Sequence, residues 1–277
     1  MDNMVKFTVN NQGFWSGLLT KKNGDEIKPS PFFIHPLSYM HVQEMAQLSK
    51  KIYQHLKEDE QCFIHKHSAD YYEKAVQNKN ITFIGVFHAG QLIAMSYLRV
   101  CADQASFQDE IPNFKHQSFF NGQKVATLGG DCVHPMFRGN ALNQLMIEYR
   151  IEEAKKLQCG AVYSIIDRHN HWNMSPYFNN KFQMLSCGID PSDGGEIAIM
   201  RYKEQQPQRI GKEILIPSHH FSTIDTLLQN NFVGCEYNPK TKQITFRRTA
   251  LPVHIKSHRH IRQIRRLHNQ IKEHQYV

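Results

Sequence analysis

The stretch from Lys124 to Ile166 leaves the chain little choice of fold. Lys124 to Val133 is strand-like, and Pro135 ends it because proline cannot donate to the next ladder bond. Arg138-Gly139-Asn140 then opens an amphipathic helix. Its apolar positions include Leu142, Leu145, Met146, Tyr149, Ile151 and Leu157, and Gly160 stops it. Ala161 to Ile166 follows as a second strand, by its β-branched and aromatic content.

The flanking segments extend this pattern. Met45, Leu48, Ile52, Tyr53 and Leu56 recur at spacings of three and four, predicting a helix that Ser38 would cap. Residues 66–78 hold a second helical segment. Residues 81–87 and 91–98 read as an antiparallel hairpin turned at His88-Ala89-Gly90. Residues 101–123 are polar and aromatic, and read as a functional loop or an insertion. A short helix fits 174–179, and strands fit 182–185 and 196–202. The sum is an α/β or α+β layer architecture with helices covering a mixed sheet. Residues 1–30 are polar and punctuated by glycine. Asn23-Gly24-Asp25 is a turn signal between short strands, and Phe14, Trp15 and Leu18 are available to dock on the body.

Charge separates the C-terminal region from the rest. Residues 201–277 hold 14 Lys/Arg against 5 Asp/Glu, whereas the first 200 residues hold 19 against 20. A near-neutral body with a basic tail argues against a nucleic-acid scaffold and for an attachment with its own partner or one that covers the body. No stretch approaches the roughly 20 apolar residues of a membrane span, and no apolar signal-peptide core precedes Asn10. The six cysteines are widely spaced and form no CxxC pair. They read as free thiols in a reducing compartment, and the expected location is the cytoplasm.

The strand–helix junction also carries chemistry. Unpaired N–H groups of a first helical turn, the helix dipole and Arg138 together suit a pyrophosphate. The same residues equally fit a plain strand–turn–helix junction with a surface arginine. Val133-His134-Pro135, the aromatic Phe137 and Arg138-Gly139-Asn140-Ala141-Leu142-Asn143 resemble the signature of the GCN5-related N-acetyltransferases. Ile34-His35-Pro36-Leu37-Ser38 with its helix resembles that family's opening, and the hairpin at 81–98 its second and third strands. Tyr177-Phe178-Asn179-Asn180-Lys181-Phe182 resembles its aromatic element, with Lys181 in a glycine's place.

The resemblance covers roughly 32–205. It implies an N-terminal arm over 1–31, a catalytic body over 32–205 and an extension over 206–277. It implies a mostly antiparallel sheet, flanked by helices, with one splayed parallel pair at 124–133 and 161–166. Acetyl-CoA would lie in the cleft between that pair and pass its acetyl group to a primary amine, of a small molecule or a protein, by direct attack. Backbone groups near Cys132 and Val133 would bind pantetheine, and a backbone N–H near Val133 would polarise the carbonyl. The amides of Gly139, Asn140, Ala141, Leu142, Asn143 and Gln144 would cradle the pyrophosphate beside Arg138. Tyr177 would protonate the leaving thiolate. Ala141 and Asn143 depart from the family's small residues and could crowd the phosphates.

The general base has several candidates. Asp131 stands where the family usually has an apolar residue, two positions before Val133, and strand alternation puts it on one face with Val133 and Gly129. It is either the base or a buried, paired aspartate supporting the splayed strands. Glu110, His134 and His169 are rivals. The close histidine pairs lack a third ligand at a recognised spacing, so no metal is assigned. Cys132 is read as a strand cysteine beside the cleft rather than a nucleophile.

Residues 206–277 read as a strand at 214–216, a helix at 222–228 and a hairpin at 233–247, which extend the sheet or form a small unit. Ile261, Ile264 and Ile271 stripe a basic helix over 255–273, expected to pack on the body. Two other function classes remain beside the acetyltransferase. One is a catalytically weak acyl-CoA-binding regulatory module. The other is an adaptor binding nucleic acid or protein through the basic region.

Overall fold

The computed structural model describes residues 7–9, 15–63, 66–111, 123–190, 194–204 and 210–249. The strongest strand patterns form the centre. Ile81–His88 (β4) and Gln91–Cys101 (β5) make the expected hairpin, with Ala89 and Gly90 at positive φ in its two-residue turn. β5 pairs antiparallel with Val125–Val133 (β6), and β6 runs parallel to Ala161–Asp167 (β7). Among the described residues this is the only parallel pair.

Trp15–Lys22 (β2) and Asp25–Pro36 (β3) continue the sheet beyond β4, and Phe7–Val9 (β1) forms that edge. Asn23 and Gly24, both at positive φ, turn β2 into β3. Residues 15–31, an arm in the sequence reading, therefore run as strands of the same sheet. Trp15 and Leu19 are buried, with Trp15 edge-on to Tyr149 at 5.4 Å, whereas Leu18 is exposed.

Helices cover both faces. On one face, Val42–His55 (α1) and Ala69–Gln77 (α2) bury Met45, Leu48, Ile52 and Tyr72 against Phe83, Leu92 and Met95. Gln104–Glu110 (α3) lies in the segment read from sequence as a loop or insertion. Ser106 donates its N–H to Asp103 Oδ1 at 2.8 Å, a cap, and Phe107 and Ile111 pack against Val125, Tyr163 and Ile199. Burial of those two residues overrides the polar character of their neighbours. On the other face lie Leu142–Lys156 (α4), His171–Asn179 (α5) and Phe221–Gln229 (α6). α5 begins three residues before the predicted helix because Asn170 caps it, accepting from the Asn173 N–H at 3.2 Å.

The far half of the sheet repeats itself. β7, α5, Phe182–Ile189 (β8) and Glu196–Tyr202 (β9) are followed by Ile210–Pro217 (β10), α6, Phe232–Asn238 (β11) and Gln243–Arg248 (β12). The two units are offset by fifty residues. Lys181 and Asn231, both at φ 63°, occupy the same turn. Asn180 Nδ2 donates to the Pro176 carbonyl at 3.0 Å, and Asn230 Nδ2 to the Thr226 carbonyl at 2.7 Å. Strand order runs β7-β9-β8-β11-β12-β10, antiparallel throughout. Met184 of β8 faces Gly234 of β11. That pair has the repeat offset itself, so a pseudo-twofold axis passes through it. Tyr237 of β11 stacks on both His171 and Phe178 of α5 at 6.3 Å, so the second unit braces the helix that carries Tyr177.

No helix among the described residues is long and apolar enough to cross a membrane. Cys101, Cys132, Cys159, Cys187 and Cys235 are free thiols. The basic helix expected over 255–273 lies outside the described residues.

The seam between the two units gives a stability test. A Cβ at Gly234 would come within 3.1 Å of both Met184 Cβ and Ile244 Cγ2. Gly234→Val is expected to cost about 1–3 kcal/mol by overpacking and to lower the melting temperature by several degrees. An unchanged melt followed by circular dichroism would contradict the tight seam.

Candidate active site

A single extra residue in β6 shapes the site. Met95 faces Cys132 and Tyr97 faces Gly129, so Gly130 and Asp131 together oppose Ser96. This is a β-bulge, with Gly130 at φ 65°. Ala126 and Leu128 face α4, so strict alternation would turn Asp131 away from that helix. The bulge resets the alternation and sends Asp131 and Val133 to the α4 face, with Cys132 toward α1. Glycine is required at both positions of the bend. A Cβ at Gly129 would meet the Tyr97 ring at 2.6 Å, and one at Gly130 would meet it at 2.7 Å.

Next to the bulge, β6 and β7 part. Their parallel register runs from Val125↔Ala161 to Leu128↔Ser164 and stops there. The Ser164 hydroxyl donates to the Leu128 carbonyl at 2.9 Å, at the point of separation. The gap opens into a cleft of about 380 Å³ bordered by Leu128 to Cys132 and by Ile165 to Asp167. Tyr71, Tyr72, Phe83 and Tyr97 give it an aromatic wall. Asp109, Glu110, Asp131, Asp167 and Asp190 give it an acidic one.

Asp131 and Tyr177 meet in this cleft. The Tyr177 hydroxyl donates to Asp131 Oδ2 at 2.7 Å. Asp131 Oδ1 accepts from Arg150 Nη2 of α4, and both side chains are almost wholly enclosed. Arg150 Nη1 also donates to the Tyr97 and Gly129 carbonyls at 3.0 and 3.1 Å, and Nε to the Met146 carbonyl at 3.1 Å. Burial pushes the Asp131 carboxyl above its ordinary value, against the opposing pull of Arg150 and the Tyr177 hydrogen bond. Burial and then the Asp131 charge push the Tyr177 phenol up as well. The Cys132 thiol is pushed up to about 12, first by burial and then by Asp131. At neutral pH it is a thiol, not a nucleophile.

The loop before α4 is held from the N-terminal side of the chain. Asn140 is buried. Its Oδ1 accepts from the Thr20 and Lys21 N–H groups at 2.9 and 3.0 Å, and its Nδ2 donates to the Lys21 and Phe137 carbonyls at 2.8 and 2.9 Å. Asn23 N–H donates to the Met136 carbonyl at 2.7 Å. Arg138 and Gly139 are exposed, and Gly139 has φ 82°. Ala141 is left-handed at φ 51°, ψ 24° immediately before the helix. It therefore takes the backbone conformation for which glycine is the usual choice, at a cost of about 1–2 kcal/mol. Leu142 is buried in the core, and Asn143 Nδ2 donates to Asn173 Oδ1 at 3.0 Å. The Gln144 carbonyl accepts from Asn180 Nδ2 at 3.0 Å, tying α4 to the end of α5.

The rival bases are dispersed. Glu110 borders the cleft but is paired with Arg99. His134 is buried, and its Nδ1 accepts from the Met136 N–H at 3.2 Å; burial, then Lys51, His55 and Arg138, lowers its pKa. His169 is largely exposed, beside Glu196 at 3.4 Å and edge-on to Phe221, outside the cleft lining. Among the described residues no three His, Cys, Asp or Glu side chains are grouped to hold a metal.

Arg150 is the residue that the sequence reading missed. It stands four positions after Met146, so it falls on the inward side of α4, and Asp131 stands in an apolar strand. Two opposite charges at positions that should be apolar each require a partner. That signal was legible, although only the fold brings the two together. The carboxylates at the ends of β7 and β8 and the Gly129-Gly130 bend had no comparable sign.

No family model matches the chain, and no curated protein sequence matches it. Similar solved structures include a probable acetyltransferase from Staphylococcus epidermidis, at 15% identity and TM-score 0.48 over 63% of this chain and 99% of that one. The ribosomal-protein-S18-alanine N-acetyltransferase from Escherichia coli has 13% identity and TM-score 0.46 over 65% and 99%. The PaiA N-acetyltransferase from Thermoplasma acidophilum, solved with coenzyme A, has 17% identity and TM-score 0.44 over 62% and 98%. The mixed, mostly antiparallel sheet with one parting parallel pair is the layout that the sequence resemblance implied.

Asn140 offers a direct test of the loop clamp. Asn140→Ala removes the acceptor of two backbone N–H groups and should cost about 1–3 kcal/mol, measured by urea unfolding. Equal stability of the two proteins would show that the clamp contributes nothing.

Proposed function

We propose that the chain is an N-acetyltransferase that moves the acetyl group of acetyl-CoA to a primary amine by direct attack. The observation that carries this reading is the parting of β6 and β7 after Leu128↔Ser164, with Asp131 and Tyr177 hydrogen-bonded in the gap. Acetyl-CoA supplies an acetyl group already activated as a thioester. The chain's own task is to bind, orient and move protons.

The loop at 138–144 fits the phosphates of such a ligand. Ala141 keeps the left-handed bend despite its methyl group, and the Asn140 side chain is turned inward to β2 rather than outward. A Cβ at Gly139 would meet only Lys21 Cδ within 4 Å, at 3.5 Å, so the outer side of the loop is open. Arg138 would add a charge-assisted donor to the amides of the first turn of α4. Backbone groups of Cys132 and Val133, past the point of parting, would hold the pantetheine arm.

Asp131 would accept a proton from the acceptor ammonium, and Tyr177 would give its hydroxyl proton to the leaving sulfur. Their hydrogen bond couples the two: Tyr177 regains a proton from Asp131, which returns to its carboxylate form, and the second proton of the nitrogen leaves to solvent as the amide forms. The acidic wall of the cleft favours a cationic amine over a neutral or anionic acceptor.

Thiol release from acetyl-CoA across a panel of amines tests the reading; release with no amine would reject it. Calorimetry should show acetyl-CoA binding weakened by about 1–3 kcal/mol in Arg138→Ala, and equal affinity would remove Arg138 from the site. Tyr177→Phe should lower kcat by roughly 10²-fold or more where chemistry limits the rate, with acetyl-CoA affinity nearly unchanged. Activity of the wild type should fall as pH drops through the Asp131 pKa, which burial sets above the ordinary carboxylate value. Asp131→Asn should lack that acid limb; a limb that persists would assign it to another group.

A further inference from the structure

Behind the cleft, in contact with Asp131, is a buried charged group that the transfer reaction itself does not use. Arg150 is fully buried in the middle of α4, yet its guanidinium serves four partners on three elements. Two of them, the Tyr97 and Gly129 carbonyls, lie on the two strands that flank the bulge. The third is the Asp131 carboxylate, and the fourth is the Met146 carbonyl of its own helix. One planar fork thus grips the bend that opens the cleft and the carboxylate that faces Tyr177.

We propose that Arg150 is a positioning residue that holds Asp131 as a carboxylate, aimed at Tyr177 and the cleft, ready to take the proton of the acceptor. The inference rests on the transferase reading for the fate of that proton, but the hold on Asp131 is a property of the folded chain alone.

The charges around Asp131 make Arg150 the deciding one. From α5 it faces the Tyr177 phenol, from β5 the Tyr97 phenol, and beside it on β6 lies the Cys132 thiol. All three are neutral at physiological pH, because burial raises each of them. Among the described residues Arg150 is the one cation in contact with the carboxylate, and burial by itself drives that carboxylate toward its neutral form. A neutral Asp131 could not accept a proton. Tyr177 would then have no charged acceptor to fix its hydroxyl.

The test uses the full chain with Arg150→Met, Arg150→Lys and the neutral pair Arg150→Met/Asp131→Asn. Carboxyl carbon NMR follows the Asp131 titration, assigned through Asp131→Asn. Arg150→Met should raise that titration by at least about one pH unit, a tenfold gain in proton affinity. Arg150→Lys, which keeps the charge, should lie nearer the wild type. The acid limb of kcat/KM should move upward with the titration.

Stability provides a readout that needs no turnover. A carboxyl whose pKa rises on folding adds stability below its unfolded value and loses it as pH rises through the folded value. The melting deficit of Arg150→Met should therefore be largest near neutrality and shrink as pH falls, and the neutral pair should lose that pH dependence. Where Arg150→Met does not fold, Arg150→Lys and the neutral pair carry the comparison. An Asp131 titration unmoved in every variant overturns the inference, and so does a kcat/KM limb that stays put while the titration moves. Thiol release absent with every amine, alongside a shifted titration, would overturn the transferase reading and leave the hold on Asp131 standing.

Discussion

A guanidinium enclosed by protein has to find its hydrogen bonds there, because water cannot supply them. Arg150 meets that demand with three backbone carbonyls and one carboxylate, and the local architecture follows from where those acceptors must lie. The Gly129 carbonyl is within reach because β6 bends there. Asp131 is within reach because the bend restores it to the α4 face. The two glycines admit the bend because the Tyr97 ring fills the space where their side chains would stand. Arginine, aspartate, tyrosine and paired glycines thus form one mutually dependent set, in which each member is costly without the others.

The cleft rests on that set at one side and on the repeated unit at the other. α5 carries Tyr177, and it is pressed from behind by Tyr237 of β11 and capped at its start by Asn170. Arg168, at the end of β7, reaches across to Asp225 at 3.3 Å and stacks on Phe221 at 4.2 Å, both on α6. The second unit, with Leu227 fifty positions after Tyr177, has an apolar residue where the first has its phenol. It repeats the geometry without the chemistry. What it supplies is a partner for β8, which would otherwise end the sheet with an open edge.

The loop before α4 shows how strain is balanced by tertiary contact. Ala141 sits in a left-handed conformation that alanine disfavours. The loop is held there by Asn140, whose amide uses all of its hydrogen-bonding capacity on Phe137 and the β2 backbone. The N-terminal hairpin is therefore part of the loop's support, although it lies more than a hundred residues away in sequence. An asparagine counted among candidate phosphate ligands has, in the fold, a side chain that braces the loop.

By itself the sequence determined the elements with strong periodicity or a firm stop: the 81–98 hairpin, α1, α4, the strands on either side of α4, and the turn at Asn23-Gly24. Local residue types decide such features, since turns need positive φ and helices need an apolar stripe. The fifty-residue repeat was also present in it, in Asn180-Lys181-Phe182 and Asn230-Asn231-Phe232, but only as a faint echo whose meaning lies in hydrogen bonds and strand order. α3 was hidden because two buried residues, Phe107 and Ile111, outweigh a polar surround. Which face Asp131 occupies, which cation neutralises it, and which side of the sheet receives the N-terminal hairpin were decided only by the tertiary structure. A strand's alternation predicts faces until one extra residue shifts it, and a charge in an apolar position announces a partner without naming it. Only the packing of α4 across β5 and β6 brings Arg150 to Asp131 and closes that choice.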